Sequence, residues 1–359
     1  MITGNIGEWS EIYTLLKIIS EKNLIAGDSN LQKVENLLFP IIKILREDSN
    51  GTYEFAYDKD LVVISGNKNE FRIPIIKFKE QANLLFLKLK LTSSTTFSIP
   101  EIETFINSFN CVSLKAKSSV KSDIRIVIHD QRTGTISELG FSIKSQLGRA
   151  STLLNAGKTT NFIYKIENIN LTNKEVTEIN SINTRSKIKD RIDKLIEYSG
   201  TFKFKSTESS IFGNNLTLID SSLPKILAEI IYLFFTSTNS STLDLVSEIS
   251  ASNPIEYNLD SNHPFYLYKI KRFLTDIALG MMPSKVWTGE LDATGGYLII
   301  KEDGEILCYH IYNRNEFEDY LMNNTKLDTA SSTRHDFGKV YKKDNDTFFK
   351  LNLQIRFNK

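Results

Sequence analysis

Asp123 opens the strand-like run IRIVIHD, and Lys144 stands in SIKSQ on the run that follows the turn QRTG. An acid and a lysine at one end of a hairpin suit a particular chemistry. Carboxylate oxygens hold a hard divalent cation, and the cation polarises a phosphoryl group and lowers the pKa of an attacking water. The ammonium offsets the negative charge that develops at phosphorus. The usual complement is an Asp at the edge of one strand and a carboxylate-x-Lys pair on its partner. Here Ser142 stands where the second carboxylate would be. A turn centred near Gly134 pairs Asp123 with about Ser145, and Asp130, near Glu138 at the turn end, is the weaker candidate. Period-two alternation puts Ser142, Lys144 and Gln146 on one face; a one-residue slip would reverse the faces.

The missing carboxylate asks for a substitute. GEWSE offers Glu8 and Glu11, three apart on one predicted helix and so on neighbouring faces. Trp9 and Ile12 begin the apolar stripe, which sets one of these acids beside the core edge; Glu11 is favoured as the supplementary metal ligand. The competing role is a helix-start acid complementing the macrodipole. For Lys144 the competing role is a surface lysine on an edge strand.

These residues need a scaffold. Trp9, Ile12, Tyr13, Leu16 and Ile19 recur at helical spacing, which predicts a helix over 6–22. The apolar residues of 31–47 predict a second helix, kinked at Pro40. Short β-prone runs follow at 53–57, 61–65 and 71–78, then a helix over 99–109 and the hairpin 122–130/139–148. A strand is predicted at 161–168 and helices at 184–199, 222–236, 239–250 and 270–282. GGYLIIKEDGEILCYHIY reads as a hairpin around Asp303-Gly304, and its Gly295-Gly296 as a turn before a strand, with no phosphate loop. The closing LNLQIRF (351–357) alternates, with Asn352, Gln354 and Arg356 on the polar side. The order α, β-rich, α, β predicts a mixed α/β (α+β) protein. A boundary near 175–200 divides it into a domain over 1–180 carrying the hairpin and one over 181–359, helical and then β-hairpin.

Composition bounds the function. The 359 residues include 44 Lys+Arg and 43 Asp+Glu, with 41% hydrophobic and 24% charged residues, which suits a globular chain and excludes a disordered one. Two cysteines, Cys111 and Cys308, and scattered histidines (His129, His263 and His310 among them) lack disulfide or zinc spacing. AEIIYLFF (228–235) falls short of the roughly 18 residues needed to span a bilayer. With no basic and apolar leader at the N-terminus, a cytoplasmic protein is expected. The net charge of +1 at first argues against a polyanion partner, but it is an average. Residues 111–210 carry 17 basic and 10 acidic side chains, a charge of +7, against −2 for 1–110 and −4 for 211–359. Between Glu138 and Glu167 no acid occurs, and a segment like that attracts phosphate. Arg149, Thr152, Asn155, Lys158, Thr159 and Asn161 are therefore DNA-contact candidates, as are Arg334 in STRHDFG, Gln354 and Arg356. Phosphate contacts position a protein on DNA, and Arg or Lys toward guanine reads sequence.

The strings GEWSEIY (7–13), GFSIKSQLG (140–148), STLLNAGKTTNFIYKI (151–166), ALGMMPSKVWTGELDATGGYLIIKEDGE (278–305), NRNEFEDYL (313–321), RHDFG (334–338) and LNLQIRF (351–357) resemble the HpaII-type restriction endonucleases. The resemblance runs nearly from end to end. It implies a prokaryotic type II enzyme of the PD-(D/E)xK nuclease class, with a mixed sheet flanked by helices, that cuts double-stranded DNA with Mg²⁺; CCGG is the site expected. The matching positions are Asp123 for the metal-binding acid and Lys144 for the lysine. Ser142 departs from the pattern, and Gln146 could assist through a water. A palindromic site suits a homodimer. The alternatives are a site-specific DNA-binding protein without cleavage, motivated by Ser142, and a metal-independent nuclease or glycosylase.

Overall fold

Asn5 caps the first helix, α1 (Ile6–Glu21), through a reciprocal pair: its side chain accepts from Glu8 N at 3.1 Å and Glu8 Oε2 accepts from Asn5 N at 2.8 Å. The computed structural model describes residues 2–48, 51–114, 122–131 and 133–358. Chain contacts divide it into two units, each discontinuous in sequence: residues up to Ser151 with Leu291–Tyr320, and Thr152–Glu290 with Leu321–Asn358. The class is mixed α/β, as expected. No helix among the described residues is long and apolar enough to cross a membrane.

In the first unit α1 leads into β1 (Asn23–Gly27), β2 (Lys33–Asp48), β3 (Gly51–Asp58), β4 (Leu61–Gly66) and β5 (Asn69–Pro74), followed by α2 (Ile75–Leu91) and α3 (Pro100–Asn107). The expected hairpin is β6 (Ile124–Asp130) and β7 (Thr135–Ser145). Its QRTG turn includes Arg132, which lies outside the described residues. The helix expected over 31–47 is a correction: the segment is the strand β2. Val34, Phe39, Ile41, Ile42 and Ile44 are β-formers, and Pro40 removes a donor that a helix interior needs. Phe39 and Ile41, and after a register shift Ile44 and Arg46, point inward. The run at 71–78 is also corrected. The strand stops at Pro74, and Phe78, Ala82, Leu85 and Leu89 form the buried stripe of α2.

β2 has two sets of partners. Its residues 38–40 pair with β1, while 41–48 pair with β6 and β3. After the second unit the chain returns with β11 (Gly296–Ile300) and β12 (Ile306–His310). β11 runs parallel to β7 and antiparallel to β12, and β12 runs parallel to β1. The ladder β1-β12-β11-β7-β6-β2 thus closes on itself as a six-strand, barrel-like sheet, with β3, β4 and β5 continuing from β2. Trp9, Ile12, Leu16 and Ile19 of α1 share one core with Phe78 and Leu85 of α2 and with Phe39, Ile126, Phe141 and Leu298 of the sheet. Gly296 enters β11 at φ +105, where an added Cβ would lie 2.1 Å from the Tyr309 carbonyl oxygen. The GG pair is a close strand entry that no other residue can make.

The second unit contains β8 (Thr152–Leu154), β9 (Asn161–Glu167), α4 (Asn173–Ser181), α5 (Lys187–Glu197), β10 (Thr201–Thr207), α6 (Ser210–Ile219), α7 (Leu223–Thr236), α8 (Thr242–Ser252) and α9 (Phe265–Leu279). Helix α10 (Arg314–Asn323), whose residues up to Tyr320 belong to the first unit, leads to β13 (Thr325–Leu327), the short α11 (Ser332–His335), β14 (Val340–Lys343), β15 (Asp346–Asn352) and β16 (Ile355–Phe357). One sheet runs β10-β9-β15-β14 and a smaller one β13-β16-β8. Tyr164 of β9 donates from its hydroxyl to Ala228 O of α7 at 2.7 Å, pinning that helix to the sheet. The closing alternating run is a further correction. It breaks at Leu353-Gln354 and serves two sheets, so Leu351 through Ile355 are all buried.

Candidate active site

The hairpin register is three residues from the expected one: Ile124 faces Phe141, and the last pair is Asp130 with Thr135. Gly134, at φ +70, donates to Asp130 O at 2.8 Å and ends the turn instead of centring it. Asp123 N donates to Phe141 O at 2.9 Å, and Asp123 Oδ2 accepts from Ile143 N at 2.7 Å. The carboxylate is thereby fixed against β7 beside the Ser142-Ile143-Lys144 segment. Asp130 sits at the far, turn end.

Lys144 is half-buried. Burial pushes its pKa down, and the charges of Asp123 and then Glu11 pull it back. Both acids chosen from the sequence thus act on the chosen lysine. Glu11 arrives there because α1 docks on the end of β7. The fully buried Ser10 donates to Ser145 Oγ at 2.9 Å, and Leu147 N closes on the same Ser145 oxygen at 3.2 Å. Residues 10 and 145 adjoin Glu11 and Lys144, so one hydroxyl pair sets the helix against the strand. Glu8, the other acid of GEWSE, is occupied in the Asn5 cap.

Ser142 is 7% exposed and lies across the parallel ladder from Tyr297. The Lys144 ammonium stands 5.3 Å from the Tyr297 ring centroid. Gln146 continues the strand beyond its last ladder pair, donating N–H to Ile300 O at 2.9 Å. Among the described residues no three His, Cys, Asp or Glu side chains gather as a ready metal cage. The donor chemistry nevertheless fits Mg²⁺. That ion is held through one or two carboxylates, keeps several waters and takes substrate phosphate as a further ligand; Asp123 and Glu11 are the carboxylates that would hold it.

The DNA-contact candidates divide. Arg149, Asn155, Lys158 and Arg334 are exposed, and Thr152 and Thr159 half-exposed. Asn161 and Gln354 are corrections, being 0% and 8% exposed. Asn161 donates to Glu208 Oε2 at 2.7 Å and to His335 O at 2.9 Å, and accepts from Asn352 at 2.7 Å, so its amide serves the protein interior. Gln354 lies in the break between β15 and β16. Arg356 is half-buried and ion-paired to Asp328 at 2.9 Å. Lys165, inside the acid-free stretch, finds Asp346 at 2.9 Å.

Sequence reasoning missed Tyr297, Ser10 and Ser145. The two serines carried a signal, since each adjoins a chosen residue. Tyr297 carried none, because the parallel pairing of β11 with β7 joins distant stretches of chain.

The whole described scaffold, from the α1 cap to the last strand, falls within one family match: residues 5–357 match the HpaII restriction endonuclease family. The chain belongs to the HpaII restriction endonuclease family. It is 50% identical over 360 residues to "Type II restriction enzyme HpaII" of Haemophilus parainfluenzae, covering 99% of this chain and 98% of that protein. No solved structure matches. Membership in the HpaII family makes the chain a type II restriction endonuclease, so the acid–lysine cluster and the exposed cations belong to an enzyme that acts on DNA.

Proposed function

We propose that this enzyme hydrolyses phosphodiester bonds in double-stranded DNA at CCGG, with Mg²⁺, at the end of the β6–β7 hairpin. The observation that carries the proposal is the placement of the Asp123 carboxylate, which accepts from Ile143 N at 2.7 Å on the strand that bears Lys144, with α1 and its Glu11 seated on the end of that strand through Ser10 and Ser145. A Mg²⁺ ion held by Asp123 and Glu11 would supply phosphoryl polarisation and a lowered pKa for the attacking water. Asp123, held by Ile143 N–H, presents its carboxylate in one orientation. Lys144 offsets the charge that builds on the phosphoryl oxygens as water attacks and the P–O bond to the leaving oxygen breaks. Gln146 orients water from the same strand, and Ser142 supplies a small hydroxyl in place of the missing acid. The hairpin is then the catalytic part of a PD-(D/E)xK-type core, set in the closed six-strand sheet.

Arg149, Lys158 and Arg334 are assigned to phosphates, and Thr152, Asn155 and Thr159 to further DNA contacts. All the proposed catalytic groups lie within 1–180, and 181–359 is assigned to supporting recognition. A two-fold dimer suits a palindromic site cut on both strands, and the prokaryotic cytoplasm is where such an enzyme would act.

Digestion of a DNA of known sequence in Mg²⁺, with the fragment ends mapped, tests the activity and the site together. Ends at CCGG are expected, and ends elsewhere overturn the specificity. The rival reading is specific binding without cleavage, favoured by Ser142. Discrete fragments exclude it; site-specific binding with intact DNA in Mg²⁺ and Mn²⁺ establishes it. Cleavage undiminished in EDTA would instead establish a metal-independent mechanism.

A further inference from the structure

We propose that the aromatic face of Tyr297 positions the Lys144 ammonium, contributing the negative potential that an acid at position 142 would otherwise provide. The inference rests on the assignment of Lys144 as the catalytic lysine. A lysine carries its charge on a flexible four-carbon stem; Asp123 and Glu11 act on that charge from other elements, and with a serine instead of an acid at position 142 a further group on the strand's own face is what fixes the stem. Register determines what that is. Tyr297 pairs with Ser142 and Ile299 with Lys144 in the parallel β7–β11 ladder. Paired residues share a face, and residues two apart on a strand share it too. The Tyr297 ring therefore belongs to the same face as Ser142 and Lys144, and Lys144 Nζ lies 5.3 Å from its centroid, within cation–π range.

The ring is a fixed platform. Tyr297 is 2% exposed, lies between β7 and β12 in the ladder, and meets Phe317 edge-on at 5.4 Å. Burial, with the Asp123 charge adding to it, pushes the pKa of its phenol up and so disfavours the phenolate. The ring thus stays neutral and acts through its π face. Tyr297 is a positioning residue: it acts on the reaction through Lys144.

The test is single-turnover cleavage of a site-containing duplex in Mg²⁺ by wild type, Tyr297→Phe, Tyr297→Leu, Lys144→Ala and the Tyr297→Leu/Lys144→Ala double variant. DNA affinity is measured alongside, with Ca²⁺ replacing Mg²⁺. Tyr297→Leu is expected to slow cleavage on the order of 10-fold at unchanged affinity. Tyr297→Phe, which keeps the π face, recovers to within about three-fold of wild type. The double variant is no slower than Lys144→Ala alone, because the ring has nothing left to position. Phe as slow as Leu overturns the proposal, since the hydroxyl would then be the active part. A full additional loss in the double variant overturns it too, since the ring would then act independently of the lysine. Lys144→Ala cleaving at the wild-type rate would remove the catalytic lysine itself, and the positioning role with it.

Discussion

The β6–β7 hairpin and the pairing of β9 with β15 are both short antiparallel ladders flanked by polar side chains, and they use those side chains in opposite ways. At the hairpin end, two acids and a lysine come from α1, the residue before β6 and β7, and the charges of the acids oppose the lowering of the Lys144 pKa that burial causes. Along β9 and β15, Asn161, Asn352, Thr160 and Glu208 interlock through hydrogen bonds of 2.7–3.1 Å, and Lys350 closes on Glu208 at 2.8 Å. A buried amide network of this kind stabilises one arrangement of the chain, and its groups are costly to leave unmatched. A cluster of ionisable groups that perturb one another is the usual form of a reactive site. Polar side chains are thus proposed for chemistry in the first region and serve as scaffolding in the second.

The sharpest way to break the comparison is at the hairpin. Asp123→Ala is expected to lower the single-turnover cleavage rate on the order of 10³-fold while leaving DNA affinity within a few-fold. Cleavage near the wild-type rate would remove Asp123 from the site. Lys144→Ala comes next, with a loss on the order of 10²-fold in rate and little change in affinity. A loss confined to affinity would make Lys144 a DNA-contact residue instead. Glu11→Gln has a smaller effect, about 10-fold in rate at low Mg²⁺ and largely recovered at high Mg²⁺, because one of two carboxylate ligands is lost. A deficit that saturating Mg²⁺ leaves untouched would assign Glu11 to the α1–β7 packing.

How much of this was legible in sequence depended on distance along the chain. The α1 stripe, the hairpin and the acids flanking it follow from local periodicity. β2 misled because its apolar residues satisfy helical spacing and β alternation alike, and tertiary pairing with β1, β6 and β3 decided between them. The hairpin register slipped by three because Gly134, the residue able to adopt φ +70, ends the turn. The order of residues along the chain does not disclose that β11 lies parallel to β7, so Tyr297 was out of reach. Asn161 and Gln354 are hard to place for a different reason: their polar type suggests exposure, although a polar residue with enough partners is as much at home in an interior.

The smallest effect separates the two uses of polarity inside a single stretch. Lys158 and Asn161 are three residues apart in the acid-free segment; Lys158 is exposed, whereas Asn161 is buried in its network. Asn161→Ala leaves Asn352 and Glu208 short of a partner and is expected to cost about 1–3 kcal/mol of stability. It shows as a lowered Tm, with the salt dependence of DNA binding unchanged. Lys158→Ala should leave Tm in place and lower affinity by a few-fold at moderate salt. Its slope of log K against log salt should flatten by about 0.9, the value for one phosphate contact. The crossed pattern is the informative one. If Lys158→Ala moved Tm and Asn161→Ala moved the salt slope, the division between scaffold and DNA contact in this segment would be the reverse of the one drawn from burial.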